Sequence, residues 1–273
     1  MRTQPNLQLR WQSRPGAEAS DRGSIAQQRR RVCLGAAALF GLVACTTAPV
    51  RVPAPAAGRV VPFSTSRRLG ELPDGWHEQV VRRDLPRTSY AVVQRDDRRV
   101  LQAVSDGGAS GLRCDVDVDP LATPWLDWTW RVDRVDVNAT VAADELDDSP
   151  ARMMVAFDGD FSRLPLRDQM FRDMVEGMTG QAMPFATLVY VWDGKAPPES
   201  VFRSPRSDRI RYLVVASGER DARRWLSHRR NVAQDYRRIF GGEPGRVRNV
   251  GVMTDSDDLK TPLETWYADI DFS

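Results

Sequence analysis

The chain has 273 residues, with 39 basic and 37 acidic side chains and a formal charge of +2, long enough for one domain with a sizeable core. Residues 1–44 hold seven arginines against Glu18 and Asp21, so the remainder is slightly acidic and a nucleic-acid partner is not expected. Of the three cysteines only Cys114 lies beyond residue 45, which excludes an internal disulfide in that part and leaves its stability to packing.

Arg29-Arg30-Arg31 leads into an uncharged apolar run over residues 32–44. A basic cluster, a short apolar segment and small residues together read as an export signal, and the run is too short to span a bilayer. Its end, Leu42-Val43-Ala44-Cys45, resembles the lipobox of bacterial lipoproteins. That resemblance implies cleavage before Cys45 and acylation of its sulfur and new amino group. Thr46, in place of Asp, is similar to lipoproteins sent on to the outer membrane, so the expected location is the cell envelope, facing periplasm or surface. Residues 45–60 are rich in Pro and Ala and read as a stiff, extended tether. The expected organisation is a signal peptide over 1–44, a tether over 45–60 and one domain over 61–273.

Within that domain the main signal is alternation with period two, the mark of half-buried strands. Leu112, Cys114, Val116 and Val118 alternate with charged residues, and Leu126, Trp128, Trp130 and Val132 with Asp127, Thr129, Arg131 and Asp133. Near the end, Trp266, Ala268, Ile270 and Phe272 form the apolar phase of a third such stretch. Further strands are predicted over 88–94, 99–105, 151–158, 186–193, 209–217 and 247–253. Two segments show helical spacing instead, 168–178 and a longer one over 221–240 that stops at Gly241-Gly242. So many strands with so few helices predict an all-β-dominated fold. The economical architecture is an antiparallel β-sandwich of jelly-roll type with one long packed helix and a short helical insertion.

An ordered set of segments then resembles the DUF3047 family of uncharacterised bacterial exported proteins. They are Trp125-Leu126-Asp127-Trp128-Thr129-Trp130-Arg131, Asp147-Asp148 leading to Arg152 and Phe157, and Tyr190-Val191-Trp192. Arg230-Asn231-Val232 with Asp235-Tyr236, Phe240-Gly241 and Thr254-Asp255-Ser256-Asp257 complete it. The resemblance covers roughly residues 60 to 273 and implies a shape similar to galactose-binding-like jelly rolls. It implies no activity.

Candidate chemistry is limited. The acidic stretch at Asp255, Asp257 and Asp258 fails as an EF-hand, because Leu259 and Lys260 occupy ligand and turn positions. It reads either as a polar turn or as part of a structural calcium site, the one cofactor considered. Zinc is not supported by the two histidines, His77 and His228, the latter placed on the solvated face of the long helix. For ligand binding, Trp76, Trp125 and Trp192 lie at strand ends or turns, where an aromatic face could stack on a sugar, whereas Trp128, Trp130 and Trp266 read as core. Arg152, Asn231 and Asp235 are the polar candidates beside them. A catalytic alternative would pair carboxylates among Asp148, Asp235 and Asp255, as glycoside hydrolysis requires.

Three functions follow. The first is a membrane-anchored, non-catalytic binding module for a glycan or other envelope component. The second is a glycoside-hydrolase-type enzyme, and the third an assembly factor that binds protein through the Met-rich segment 168–183.

Overall fold

A computed structural model describes residues 59–80, 83–180 and 182–273. The signal segment, Cys45 and the tether up to residue 58 lie outside the described residues. In chain order the first strands are β1 (Trp76–Val80), β2 (Ser89–Arg95), β3 (Arg98–Ser105), β4 (Ala109–Val118), β5 (Trp125–Val132) and β6 (Arg152–Phe157). Helix α1 (Leu166–Thr179) precedes β7 (Ala186–Asp193), β8 (Val201–Arg203), β9 (Ile210–Ser217) and β10 (Leu226–Asn231). Helix α2 (Val232–Phe240) is followed by β11 (Val247–Asp255), β12 (Leu263–Tyr267) and β13 (Asp271–Phe272).

The strands form a β-sandwich. One sheet has the order β1-β4-β11-β6-β7-β9-β8, the other β10-β5-β12-β3-β2 with β13 added to β5. Pairing is antiparallel except between β7 and β9, which run parallel with Thr187 opposite Ile210. The expected alternation holds in β4 and β5: Leu112, Cys114, Val116 and Val118 face inward, as do Leu126, Trp128, Trp130 and Val132. Those tryptophans meet aromatic residues of β7 across the sandwich, Trp128 lying 5.0 Å from Tyr190 and Trp130 6.4 Å from Trp192. Large rings thus fill the centre, where each buries far more apolar area than an aliphatic side chain. Among the described residues no helix is long and apolar enough to cross a membrane.

Three sequence expectations are corrected. The segment 221–240 is not one helix: Leu226–Asn231 is the strand β10, paired with β5, and only Val232–Phe240 is helical. Helix α1, read as a short insertion, is the longer of the two. His228 accordingly sits on a strand, its ring stacked on Trp128 at 4.9 Å rather than on a solvated helix face.

Strand β12 is buried on both sides, and Trp266, expected as core, is buried there. Tyr267 faces the main core, while Trp266 faces the opposite way into a small cluster with Val100 and Ala268. There the Arg95 guanidinium covers its ring at 3.6 Å, a cation–π contact that shields the indole from water. Trp225, beside it, is covered in the same manner by Arg98 at 3.9 Å.

Asn231, expected among ligand-binding residues, is instead the N-cap of α2, its side chain accepting from the Gln234 amide at 2.9 Å. Losing such a cap costs about 1 kcal/mol. Asn231→Ala is therefore expected to lower the melting temperature by about 2–4 °C, measured by circular dichroism, and Asn231→Asp to restore it.

Candidate functional site

Alternation in the seven-stranded sheet puts every second residue on its outer face. Arg113 of β4, Asn249 and Met253 of β11, Arg152 and Met154 of β6, Thr187 and Val189 of β7, and Ile210 and Tyr212 of β9 line up there as a floor. Helix α1 stands beside that floor and presents Phe171, Met174 and Met178 to it. The cleft between them measures about 530 Å³, within the usual range for a small-ligand site. The floor is kept low at Gly251, where a Cβ would stand 2.9 Å from both the Leu112 carbonyl oxygen and the Met154 methyl.

One end of the cleft is built on a buried ion network. Arg152 donates through Nε to Asp255 Oδ1 at 3.2 Å and through Nη2 to Asp255 Oδ2 at 2.9 Å. The same Nη2 reaches Asp147, its carbonyl oxygen at 2.6 Å and its carboxylate at 2.9 Å. Tyr212 donates its hydroxyl to the other Asp147 oxygen at 3.4 Å and lies with its ring 5.6 Å from the guanidinium. One cation thus serves two carboxylates. Burial pushes the Asp255 carboxyl well above its ordinary range, Arg152 draws it back, and the charges of Asp147, Asp148 and Asp257 raise it further. Asp147 is raised as well, by burial, against the pull of Arg152. Burial opposes the charge on Arg152, yet the two carboxylates hold it firmly protonated.

Asp148 does different work. Its two oxygens accept from the backbone amides of Asp258 at 3.0 Å and Leu259 at 2.7 Å, so it closes the turn that follows β11. The stretch Asp255-Ser256-Asp257-Asp258 is therefore a turn locked from outside, with the buried Ser256 hydroxyl accepting from the Gly107 amide at 2.9 Å. Asp148, Asp257 and Asp258 bring carboxylate oxygens within 4.8 Å of one another, a donor set of the hard oxygen type that suits calcium. Asp255, expected in that set, belongs to Arg152 instead. The crowd of carboxylates also raises Asp258: burial acts first, then Asp257 and Asp148.

The other candidates divide. Trp76 and Trp192 are core residues, 4% and 0% exposed, so neither offers a face to a ligand. Each indole N–H is held by a backbone carbonyl, Val61 for Trp76 and Gly218 for Trp192, both at 2.9 Å. Trp125 is exposed at the start of β5 beside Arg229, 5.2 Å from its ring, and does not line the cleft. Asp235 is buried, accepting from Tyr190 at 3.0 Å and from Arg230 at 2.8 Å, and it too is absent from the cleft. Asp148, Asp235 and Asp255 thus do not converge on one cleft as a carboxylate pair. Of the ligand-binding candidates only Arg152 lines it. Sequence reasoning missed Tyr212, Asn249 and Arg113, whose sole signal was their place in the polar phase of a strand.

The DUF3047 family, described as a protein of unknown function, matches residues 74–271. The chain belongs to this family. No curated protein matches this DUF3047 chain in sequence. Among solved structures it is similar to the family 11 carbohydrate-binding module of the cellulosomal cellulase Lic26A-Cel5E of Clostridium thermocellum. The identity is 10% and the TM-score 0.37, over 80% of this chain and 95% of that one. It is likewise similar to the family 30 carbohydrate-binding module of the cellulosomal cellulase Cel9D-Cel44B of the same organism, at 12% identity and TM-score 0.33, over 80% and 93% of the two chains. The xyloglucanase domain of NopAA, a type three effector from Sinorhizobium fredii, aligns at 7% identity and TM-score 0.35, over 72% and 97%.

Proposed function

We propose that this DUF3047 protein is a non-catalytic binding module of the bacterial cell envelope, anchored through a lipidated Cys45, that takes a glycan into the cleft on its seven-stranded sheet. The observation that carries the reading is the make-up of that cleft. Its floor offers polar groups at Arg113, Asn249, Tyr212 and the Arg152 network, and its wall is apolar. A sugar presents hydroxyls at its edge and C–H groups on its faces, and needs both kinds of surface. Binding is favoured over hydrolysis because both oxygens of Asp255 are engaged by Arg152, and Asp235 lies in a separate ion cluster. An inverting or retaining glycosidase needs two carboxyl groups free to face each other across the sugar.

The test melts the full chain against envelope and plant polysaccharides, each with calcium or with EDTA. At a hundredfold excess over Kd a ligand that binds only the native state adds about 2.7 kcal/mol, so a rise of about 5–10 °C is expected. Arg113→Ala together with Asn249→Ala should abolish the rise while lowering the unliganded melt by only a few degrees, because both side chains are half-buried at the sheet surface rather than in the core. A rise that survives both changes would move the glycan elsewhere, and no rise with any polysaccharide would remove the glycan reading. In the calcium arm, a stabilisation lost in Asp257→Ala assigns a structural ion to Asp148, Asp257 and Asp258.

A further inference from the structure

The chain contains eight methionines. Five of them, Met154, Met174, Met178, Met183 and Met253, line the cleft described above, and no leucine among the described residues does. An apolar wall needs no sulfur, and leucine fills the sandwich core at Leu101, Leu112, Leu126, Leu188 and Leu213. The cleft has concentrated the residue whose distinguishing property is a soft, polarizable thioether.

Their arrangement suits a shared ligand. Met174 and Met178 are one helical turn apart on α1, the i, i+4 spacing that places two side chains on one face with Cβ atoms about 5–6 Å apart. Paired histidines use the same spacing to hold zinc on a helix. Gly180, at φ 69°, ends α1 in the left-handed conformation, and Met183 also lines the cleft. From the floor, Met154 on β6 and Met253 on β11 face the same space. Met174 and Met178 are 51% and 68% exposed, so an ion can reach them. Asp144, Asp147, Asp255, Asp257 and Asp258 outnumber Arg113, Arg152 and Arg206 around the same cleft, a balance that favours cations over anions.

We propose that the methionine wall is a binding site for a soft monovalent cation, copper(I) or its air-stable counterpart silver(I). Thioethers select such ions, whereas carboxylates and carbonyls suit calcium and magnesium. The ion would be coordinated by Met174 and Met178, with Met183 and a floor methionine completing three or four sulfur ligands. No redox step is involved.

The test titrates silver(I) nitrate, in chloride-free buffer, into the full chain carrying Cys33→Ser, Cys45→Ser and Cys114→Ala, so that no thiol competes. One equivalent is expected to bind and to resist a tenfold excess of calcium. Met174→Leu with Met178→Leu conserves volume and apolar character and should weaken silver at least tenfold. The same double variant should keep its unliganded melt, while Met170→Leu, outside the cleft, should change nothing. Silver bound equally by the parent and the double leucine variant, or not bound by either, would overturn the proposal. Because leucine preserves the apolar wall, polysaccharide melting shifts in the double variant report on the glycan reading separately.

Discussion

Replacing Arg152 with leucine is expected to destabilise the fold by about 3–5 kcal/mol, the cost of leaving buried charge without its partner. Asp255 and Asp147 both lean on this one guanidinium, at 2.9 Å each from Nη2. With it gone, two carboxyl groups face each other under the cleft with no cation between them. The melting temperature at neutral pH should fall on the order of 10 °C. The deficit should also shrink in acid. Both carboxyls already have raised pKa values in the native protein, and without Arg152 they would take up protons more readily in the fold than in the unfolded chain. A group with a raised folded pKa favours the fold as pH falls, so the gap between variant and parent should be narrower at pH 4.5 than at pH 7.5. Asp255→Asn is the companion. It keeps a hydrogen-bond acceptor for Arg152 and leaves Asp147 as its counter-ion, and should cost only about 1–2 kcal/mol. Equal losses for Arg152→Leu at the two pH values would show that the carboxyls are not what the arginine stabilises.

The second large effect is a loss of stability in acid through His228. Burial between the sheets, with a smaller contribution from the Arg230 charge, lowers its pKa from 6.5 to about 4. Its ring stacks on Trp128 at 4.9 Å and meets the edge of Trp130 at 5.0 Å. Its Nε2 is buried and has no hydrogen-bond partner among the described residues, so a proton there would go unpaired. The unfolded chain binds that proton from about pH 6.5 downward, the fold only near pH 4. Stability is therefore fully present above about pH 6.5, is lost as the pH falls toward 4, and loses nothing more from this group below that. The whole shift corresponds to at most about 3 kcal/mol. His228→Phe keeps an aromatic ring on Trp128 and removes the titration. The parent should lose more stability than His228→Phe between pH 7 and pH 4.5, measured as the difference between urea midpoints. Taking the difference cancels Asp255 and Asp147, which titrate with the opposite sign. Parallel curves for the two proteins would show that His228 is solvated.

The two-layer fold was legible because its main signal is local. Alternation over 112–118 and 126–132 states which residues face inward, whatever lies opposite, and the structure follows it in β4 and β5. Where both faces of a strand are covered, that signal loses its meaning. In β12 the apolar phase pointed to Trp266 as core, and it is buried, but so is Tyr267 of the opposite phase, which faces the main core while Trp266 packs into a second cluster covered by Arg95. The helical reading of 221–240 rested on apolar residues on either side, Trp225 before and Val232, Tyr236 and Ile239 after, and only its pairing with β5 makes Leu226–Asn231 a strand.

The site was less legible, for a related reason. Trp76 and Trp192 look exposed from their neighbours in sequence. They are buried because Phe63, 4.8 Å from the Trp76 ring, and Trp130, 6.4 Å from Trp192, come from elsewhere in the chain to cover them. The acidic stretch at 255–258 gave no hint that its first residue would leave the others for Arg152, 103 positions earlier. By itself the sequence determined the sandwich, most of its strands and the inward faces of β4 and β5, since side-chain alternation is a property of each strand alone. Only the tertiary structure decided which tryptophans are hidden, which carboxylates share a cation, and that five methionines from separate segments face one cleft. Those are facts about what covers or opposes a residue, and that is set by strands distant in sequence lying side by side.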